Sequence, residues 1–278
     1  MSREKKYEAP LRAPVAVGGM DSSESGSYSG FFESAIAIVE AAKKMDIQLR
    51  LLGATAIYYQ CPKSNLLGDL LKRRLTDLDF MTISKYVSRI PGLFSSLKFV
   101  PNERVNTLYG ANRQIYSDPG NSRHVDVFFD RLSFNHVLDL TRRLDLDPVT
   151  ISLADLLLEK LQIVKISEKD VKDVVVLMRE HGLGDGSPGQ LDARYVTKLL
   201  ANDWGFYYTA TTNIKKVRDY LEGIQSLSPA DKELVTRRLD DLAQKIESEP
   251  KSFKWNMRAR LGTRILWYTE AEDVEFRQ

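Results

Sequence analysis

Two aspartates separated by one residue, with a third in a later run, are the residues of this chain whose types and spacing point to chemistry. Asp77 and Asp79 lie in a run with Leu78, Phe80, Met81 and Ile83, where apolar and polar residues alternate as in a half-buried strand. Alternate side chains of a strand leave the same face, so both carboxylates are expected on one side and Leu78 and Phe80 on the other. Asp126 repeats the pattern. Val125, Val127 and Phe129 are expected to face inward, and Asp126 to share its face with Phe128 and Asp130. Carboxylates gathered on one sheet face repel each other. Hard divalent cations such as magnesium relieve that repulsion, because they take oxygen ligands and keep water and substrate phosphate as the rest of their shell.

The elements that must position these groups lie on either side. Leu49 to Leu52 reads as a buried strand ending at Gly53, and Ala54 to Gln60 as a helix. A helix start presents unpaired N–H groups and the positive end of its dipole to an anion. Gly53 leaves room for a triphosphate to approach the backbone. A strand, a glycine turn, a helix, an Asp-x-Asp strand and a third Asp strand together resemble the nucleotidyltransferase superfamily that includes DNA polymerase beta and the tRNA CCA-adding enzymes. The pattern is most similar to the AbiEii-type toxin branch, with its Gly-(Gly/Ala)-Thr-Ala opening and its later (Thr/Ser)-x-Asp-(Ile/Leu)-Asp-(Phe/Leu)-like segment. Gly53, Ala54, Thr55 and Ala56 match the first, and Asp77, Leu78, Asp79 and Phe80 the Asp-(Ile/Leu)-Asp-(Phe/Leu) part of the second, with Thr76 immediately before them.

The resemblance implies an α+β fold: a mixed, largely antiparallel nucleotidyltransferase sheet flanked by helices, followed by an all-helical C-terminal domain. It implies a metal-dependent transfer of a nucleoside monophosphate from a nucleoside triphosphate to an acceptor. Asp77, Asp79 and Asp126 would hold two Mg2+ ions, and Asp126 would act as base toward the acceptor hydroxyl. Gly53, Ala54, Thr55, Arg74 and Lys160 are the expected nucleotide contacts. Ala54 stands where many members carry Ser or Gly, which removes a hydroxyl but keeps the backbone donors. A long connection before Asp77 places Lys72, Arg73 and Arg74 beside the cleft, in reach of the leaving pyrophosphate or the acceptor. In related chains a lysine and a downstream aspartate face the cleft, and Lys160 and Asp170 occupy similar places here. The alternatives are a snorkelling surface lysine and a helix-capping aspartate.

An RNA or tRNA acceptor, and an antitoxin partner, are what the toxin-like resemblance implies. Lys251, Lys254, Arg258, Arg260 and Arg264, interleaved with Phe253, Trp255 and Trp267, suit RNA, since cations track phosphate and aromatics stack on bases. On an amphipathic helix the same aromatics would be core and the cations a solvated face. A small-molecule or protein acceptor, or a catalytically silent nucleotide- or RNA-binding module, remain as alternatives.

The net charge of +2 over 278 residues does not announce a nucleic-acid binder, so any basic patch must be local. The single cysteine, Cys61, excludes an internal disulfide, and with only His124, His136 and His181 beside it a structural zinc site is not expected. His124 and His136 read as packing or polar-surface residues. No apolar run is long enough to span a bilayer, and the charged start lacks a signal region, so a cytoplasmic protein with no membrane association is the expectation.

Residues 1–30 lack apolar periodicity and read as a mobile tail, 31–181 as the nucleotidyltransferase domain with its helix pair, and 190–278 as a helical domain. Within the second, Phe31 to Met45 reads as a helix. Lys98 to Val100, Val105 to Tyr109 and Gln114 to Ser117 have strand character, and Phe134 to Leu140 reads as a helix or helical turn. Pro91 and Gly92 interrupt a short helix between Ser84 and Leu97. Leu153 to Val164 and the helix capped by Ser167 form the pair. Gly182 to Gly189 is a linker. Beyond it Ala193 to Leu200, Ile214 to Leu221, Ser228 to Ile246 and Lys251 to Leu261 read as helices, joined by the aromatic segment at Trp204, Phe206, Tyr207 and Tyr208.

Overall fold

The computed structural model describes residues 26–64, 71, 73–120 and 123–270, with the side chains of 26–29 left aside. The expected tail lies almost entirely outside these residues, as does Lys72. Its last five positions belong to α1 (Gly26–Lys44), which buries Ala35, Ile38, Val39 and Ala42 on one face. These recur at helical spacing, which is why this segment finds the sheet.

The sheet consists of β1 (Arg50–Leu52), β2 (Asp77–Thr82), β3 (Val100–Pro101), β4 (Arg113–Asp118) and β5 (Arg123–Phe129), in spatial order β1-β2-β5-β4-β3. β2 and β5 run parallel, and every other neighbouring pair is antiparallel. The fold is therefore mixed α/β, with a mostly antiparallel sheet built around one parallel pair. Leu78 and Phe80 of β2, with Val125, Val127 and Phe129 of β5, are buried on one face. That face anchors the strands, since each fully buried Leu, Val or Phe contributes about 1.5–3 kcal/mol. β2 and β5 cannot slip by one residue without moving this set to the other side, so the carboxylate face is fixed by the apolar one.

Two segments differ from their expected type. Val105 to Tyr109 lies in α4 (Glu103–Tyr109), which follows α2 (Gly53–Gln60) and α3 (Ile90–Ser96). The Asn102 side chain accepts from Val105 N–H at 3.1 Å, and this cap with Glu103 in the first turn outweighs the strand preference of Val105 and Tyr109. Phe134 to Leu140 is no helix. It closes a hairpin of β6 (Arg131–Ser133) and β7 (Val137–Asp139), in which Leu132 and Leu138 pair and are buried while their neighbours are exposed. That alternation is a period of two, misread because the run is short. Pro91 stands in the first turn of α3, where its missing N–H costs nothing, so it opens that helix rather than interrupting it.

The second half begins with α5 (Leu153–Leu161) and α6 (Glu168–Glu180). Ser167 and Asp170 form the expected capping box at α6. The glycine stretch that follows carries β8 (Gly182–Gly184), paired parallel with β9 (Gln190–Asp192), and Gly186 and Gly189 turn the chain with φ of 87° and 83°. α7 (Ala193–Asn202), α8 (Trp204–Gly223), α9 (Pro229–Ser248) and α10 (Phe253–Ala259) complete the chain. The aromatic segment does not join helices: it forms the opening turns of α8. There Asp203 caps the Phe206 N–H, and Trp204 stacks on Tyr208 one turn later. A single cluster of buried apolar residues runs from Val39 through Leu51, Phe80 and Val127 to Leu156 and Val175, and on to Phe206, Ile214 and Leu239. None of the described helices is long and apolar enough to cross a membrane.

Candidate active site

The register of the parallel pair sets Asp79 directly beside Asp126, and Asp77 beside His124. Asp77 is exposed at the strand's start, while Asp79 and Asp126 are partly buried. The expected shared face is thus formed. Asp130 leaves it: its backbone turns at φ 63°, and its carboxylate accepts from Ser84 N–H at 2.9 Å.

Leu52 of β1 pairs with Asp79, so the residue after it passes over the Asp79 side chain. That residue is Gly53, at φ 72°, and a Cβ there would sit 2.5 Å from Asp79 Oδ2. Only glycine combines this conformation with this approach. The glycine was expected to make room for phosphate; what it makes room for here is the carboxylate. Burial first, then the Asp126 carboxylate, then Glu159 push the Asp79 carboxyl well above the ordinary carboxylate range, with Lys160 pulling the other way. The deficit of positive charge on this face is therefore centred on Asp79.

Three of the groups expected to meet a nucleotide, Gly53, Thr55 and Lys160, have partners within the chain. Gly53 N–H donates to Glu159 Oε2 at 3.0 Å, so a buried carboxylate already occupies one donor at the start of α2. Thr55 Oγ1 donates to the Asp77 carbonyl at 3.1 Å, tying α2 to β2. Ala54 is partly buried against the core. Lys160 does not snorkel. It is buried, with Nζ 3.5 Å from Glu159, 3.3 Å from Asp170 and 3.3 Å from Asp173. Burial alone would lower its pKa, but Glu159, Asp173 and Asp170 raise it above the ordinary lysine value. Asp170 both caps α6 and meets Lys160.

Arg73 departs from its expected place beside the cleft. It is buried and grips fully buried Asp173 with two hydrogen bonds, of 2.9 and 3.2 Å. Arg74, one residue on, is exposed. Lys160 and Arg73 thus neutralise a carboxylate cluster that joins α5, α6 and the entry to β2. Through Glu159 this cluster reaches Gly53, and through Gly53 it reaches Asp79.

Two further residues were not singled out by sequence reasoning. Glu159 gave a weak signal as a charge inside an apolar helical run. Arg113 gave none. It stands on β4, and its Nε donates to Asp126 Oδ1 at 2.8 Å while the guanidinium lies over the Phe128 ring. His124 is exposed at the same rim, its Nδ1 3.5 Å from Ser117 Oγ. His136 is buried, as a packing residue would be.

Among the described residues, no group of three or more His, Cys, Asp or Glu side chains converges as a ready metal cage. Asp126 is turned to Arg113, and Asp77 accepts from Thr76 Oγ1 at 2.8 Å. Magnesium needs less than a cage. It is ordinarily bound by one or two carboxylates, with water and phosphate completing the octahedron, and the adjacent Asp79 and Asp126 carboxylates fit that requirement.

The basic C-terminal region is only partly open. Arg258 donates to the carbonyls of Gly262 and Ile265 at 2.7 and 2.8 Å and lies over Trp204. Trp255 packs edge-on against Tyr207, and Trp267 against Tyr208. Lys254, Arg260, Arg264 and Phe253 are exposed. Compared with protein-family models, with curated proteins and with solved structures, the chain matches none.

Proposed function

We propose that this protein is a metal-dependent nucleotidyltransferase of the DNA polymerase beta-like superfamily, with its active face on β2 and β5. The observation that carries the reading is the Asp79–Asp126 pair, side by side on parallel strands, with the Gly53 turn pressed against Asp79 and Asp77 two residues before it. A bound magnesium would neutralise charge building on the triphosphate and the attacking oxygen. The chain's own part is to hold two carboxylates together against their repulsion, through the apolar underside of the strands and the Gly53 turn. Asp126, at the edge nearer β4, accepts the proton of the acceptor hydroxyl. Among the described residues, exposed Arg74, Lys254, Arg260 and Arg264 remain to meet a phosphate-bearing acceptor such as RNA, since Arg73 and Arg258 are committed inside the fold.

A thermal-shift titration tests this. Magnesium with a nucleoside triphosphate should raise the melting temperature by mass action, by about 2.7 kcal/mol of stabilisation at a hundredfold excess over Kd. Asp79→Asn should abolish the shift without unfolding the chain. No shift with any of the four triphosphates would remove the reading. A second reading, a catalytically silent binding module, is favoured by Glu159 on the Gly53 N–H, where a phosphate was expected. A protein that shows the shift but incorporates no labelled nucleotide into total RNA, protein or small molecules would take that reading instead.

A further inference from the structure

We infer that Arg113 is a built-in counter-ion, which holds Asp126 when no metal is bound and must release it for a divalent cation to be held. This rests on the reading of Asp79 and Asp126 as the cation-holding pair. Three observations carry it. First, the two carboxylates are register partners on adjacent strands, yet Asp126 is turned toward β4 by an Arg113 Nε bond of 2.8 Å. Second, among the described residues Asp79 makes no ion pair of its own, and Lys160, the cation acting on it, is engaged by Glu159, Asp170 and Asp173. Third, Arg113 is not locked in place. Its side chain is about a third exposed, and Nε alone bonds Asp126. Buried Arg73, by contrast, holds Asp173 through two nitrogens. An arginine about a third exposed and held by a single bond can swing out along the Phe128 ring to water.

The consequence is a competition. A divalent cation and the guanidinium seek the same carboxylate oxygens, and the cation wins only by displacing a charge-assisted bond. The arrangement lets the strands pack without metal and weakens binding of a lone cation. A cation arriving with a polyanion fares better, because the polyanion's phosphates can receive the displaced arginine.

Manganese ion alone is the probe, since it takes hard oxygen ligands and its free concentration is read directly by paramagnetic resonance. Arg113→Met should bind Mn2+ roughly tenfold more tightly than the unmodified protein, the scale of one charge-assisted bond removed from the competition. It should also melt lower than the unmodified protein without metal and regain the difference with Mn2+. Arg113→Gln, which can still donate one neutral bond, is the reserve variant and should fall in between. If the unmodified protein binds Mn2+ and both variants bind it equally or more weakly, the inference is overturned and the active-face reading stands. If neither the unmodified protein nor the variants bind Mn2+, both fall.

Discussion

His136 gives the fold a pH dependence that can be worked through from its surroundings. It lies in the turn between β6 and β7, stacked on Phe206 of α8 with ring centroids 5.0 Å apart and planes 6° apart. Its Nε2 is 2.8 Å from Thr209 Oγ1, which accepts from Trp267 Nε1 at 3.1 Å. The Thr209 hydroxyl can still donate its proton to Nε2, an arrangement that suits the neutral imidazole. Burial lowers the His136 pKa from 6.5 to about 4, with Asp203 opposing. A base whose folded pKa is depressed contributes stability that is present above its unfolded pKa and is lost as pH falls toward the folded one. The linkage relation with these two values gives a loss on the order of 1 kcal/mol by about pH 5.5, rising to roughly 2–3 kcal/mol by about pH 4.5. Carboxylates titrate in the same range, so the measurement is a difference: urea unfolding of the protein and of His136→Gln, across about pH 7.5 to 4.5. The gap between the two curves should close, or reverse, by roughly 2–3 kcal/mol on acidification. A constant gap, or an imidazole proton resonance titrating at or above 6.5, would refute the argument.

Arg73→Ala should cost about 3–5 kcal/mol in urea unfolding, because it strips buried Asp173 of a two-bond partner, whereas exposed Arg74→Ala should stay within about 0.5 kcal/mol. Equal effects would show that Arg73 is not part of the buried cluster. Gly53→Ala forces a side chain into a left-handed conformation and against Asp79 Oδ2, and should lower stability by at least about 1–2 kcal/mol. It should also displace the carboxylate, weakening Mn2+ binding as well. A variant of unchanged melting temperature would mean that the Gly53 turn is looser than its geometry.

How much of this was legible in the sequence depends on whether the signal was local. The β2 and β5 faces were, because Leu78 with Phe80, and Val125 with Val127 and Phe129, alternate against the aspartates, and period two admits one reading in a strand. The capping box at Ser167 was legible for the same reason. Val105 to Tyr109 failed because a single cap at Asn102 decides it, and Phe134 to Leu140 failed because each strand of the hairpin is three residues long. The aromatic segment was read as a join between helices because its helix start rests on a single cap at Asp203.

The site was legible in its acids and not in its bases, and the reason is physical. A carboxylate on a strand face is positioned by its own strand's period, so Asp77, Asp79 and Asp126 could be placed from the chain alone. A long cation is positioned by whatever carboxylate it can reach, which is a matter of tertiary contact. Arg73 finds Asp173 a hundred residues away, Lys160 finds it from the neighbouring helix, and Arg113 finds Asp126 from the next strand. The first two of these choices remove Arg73 and Lys160 from the phosphate-binding set that the sequence suggested. What remains is a carboxyl pair with an arginine bonded to Asp126 and an Asp79 whose pKa burial and the neighbouring carboxylates raise well above the ordinary range. Asp79→Asn should therefore stabilise the metal-free protein at neutral pH, where ionising Asp79 costs the fold, and that gain should vanish as pH falls through the ordinary aspartate value of 3.8. A destabilised Asp79→Asn at neutral pH without metal would mean that the Asp79 charge is already compensated, and that the face has no need of a cation.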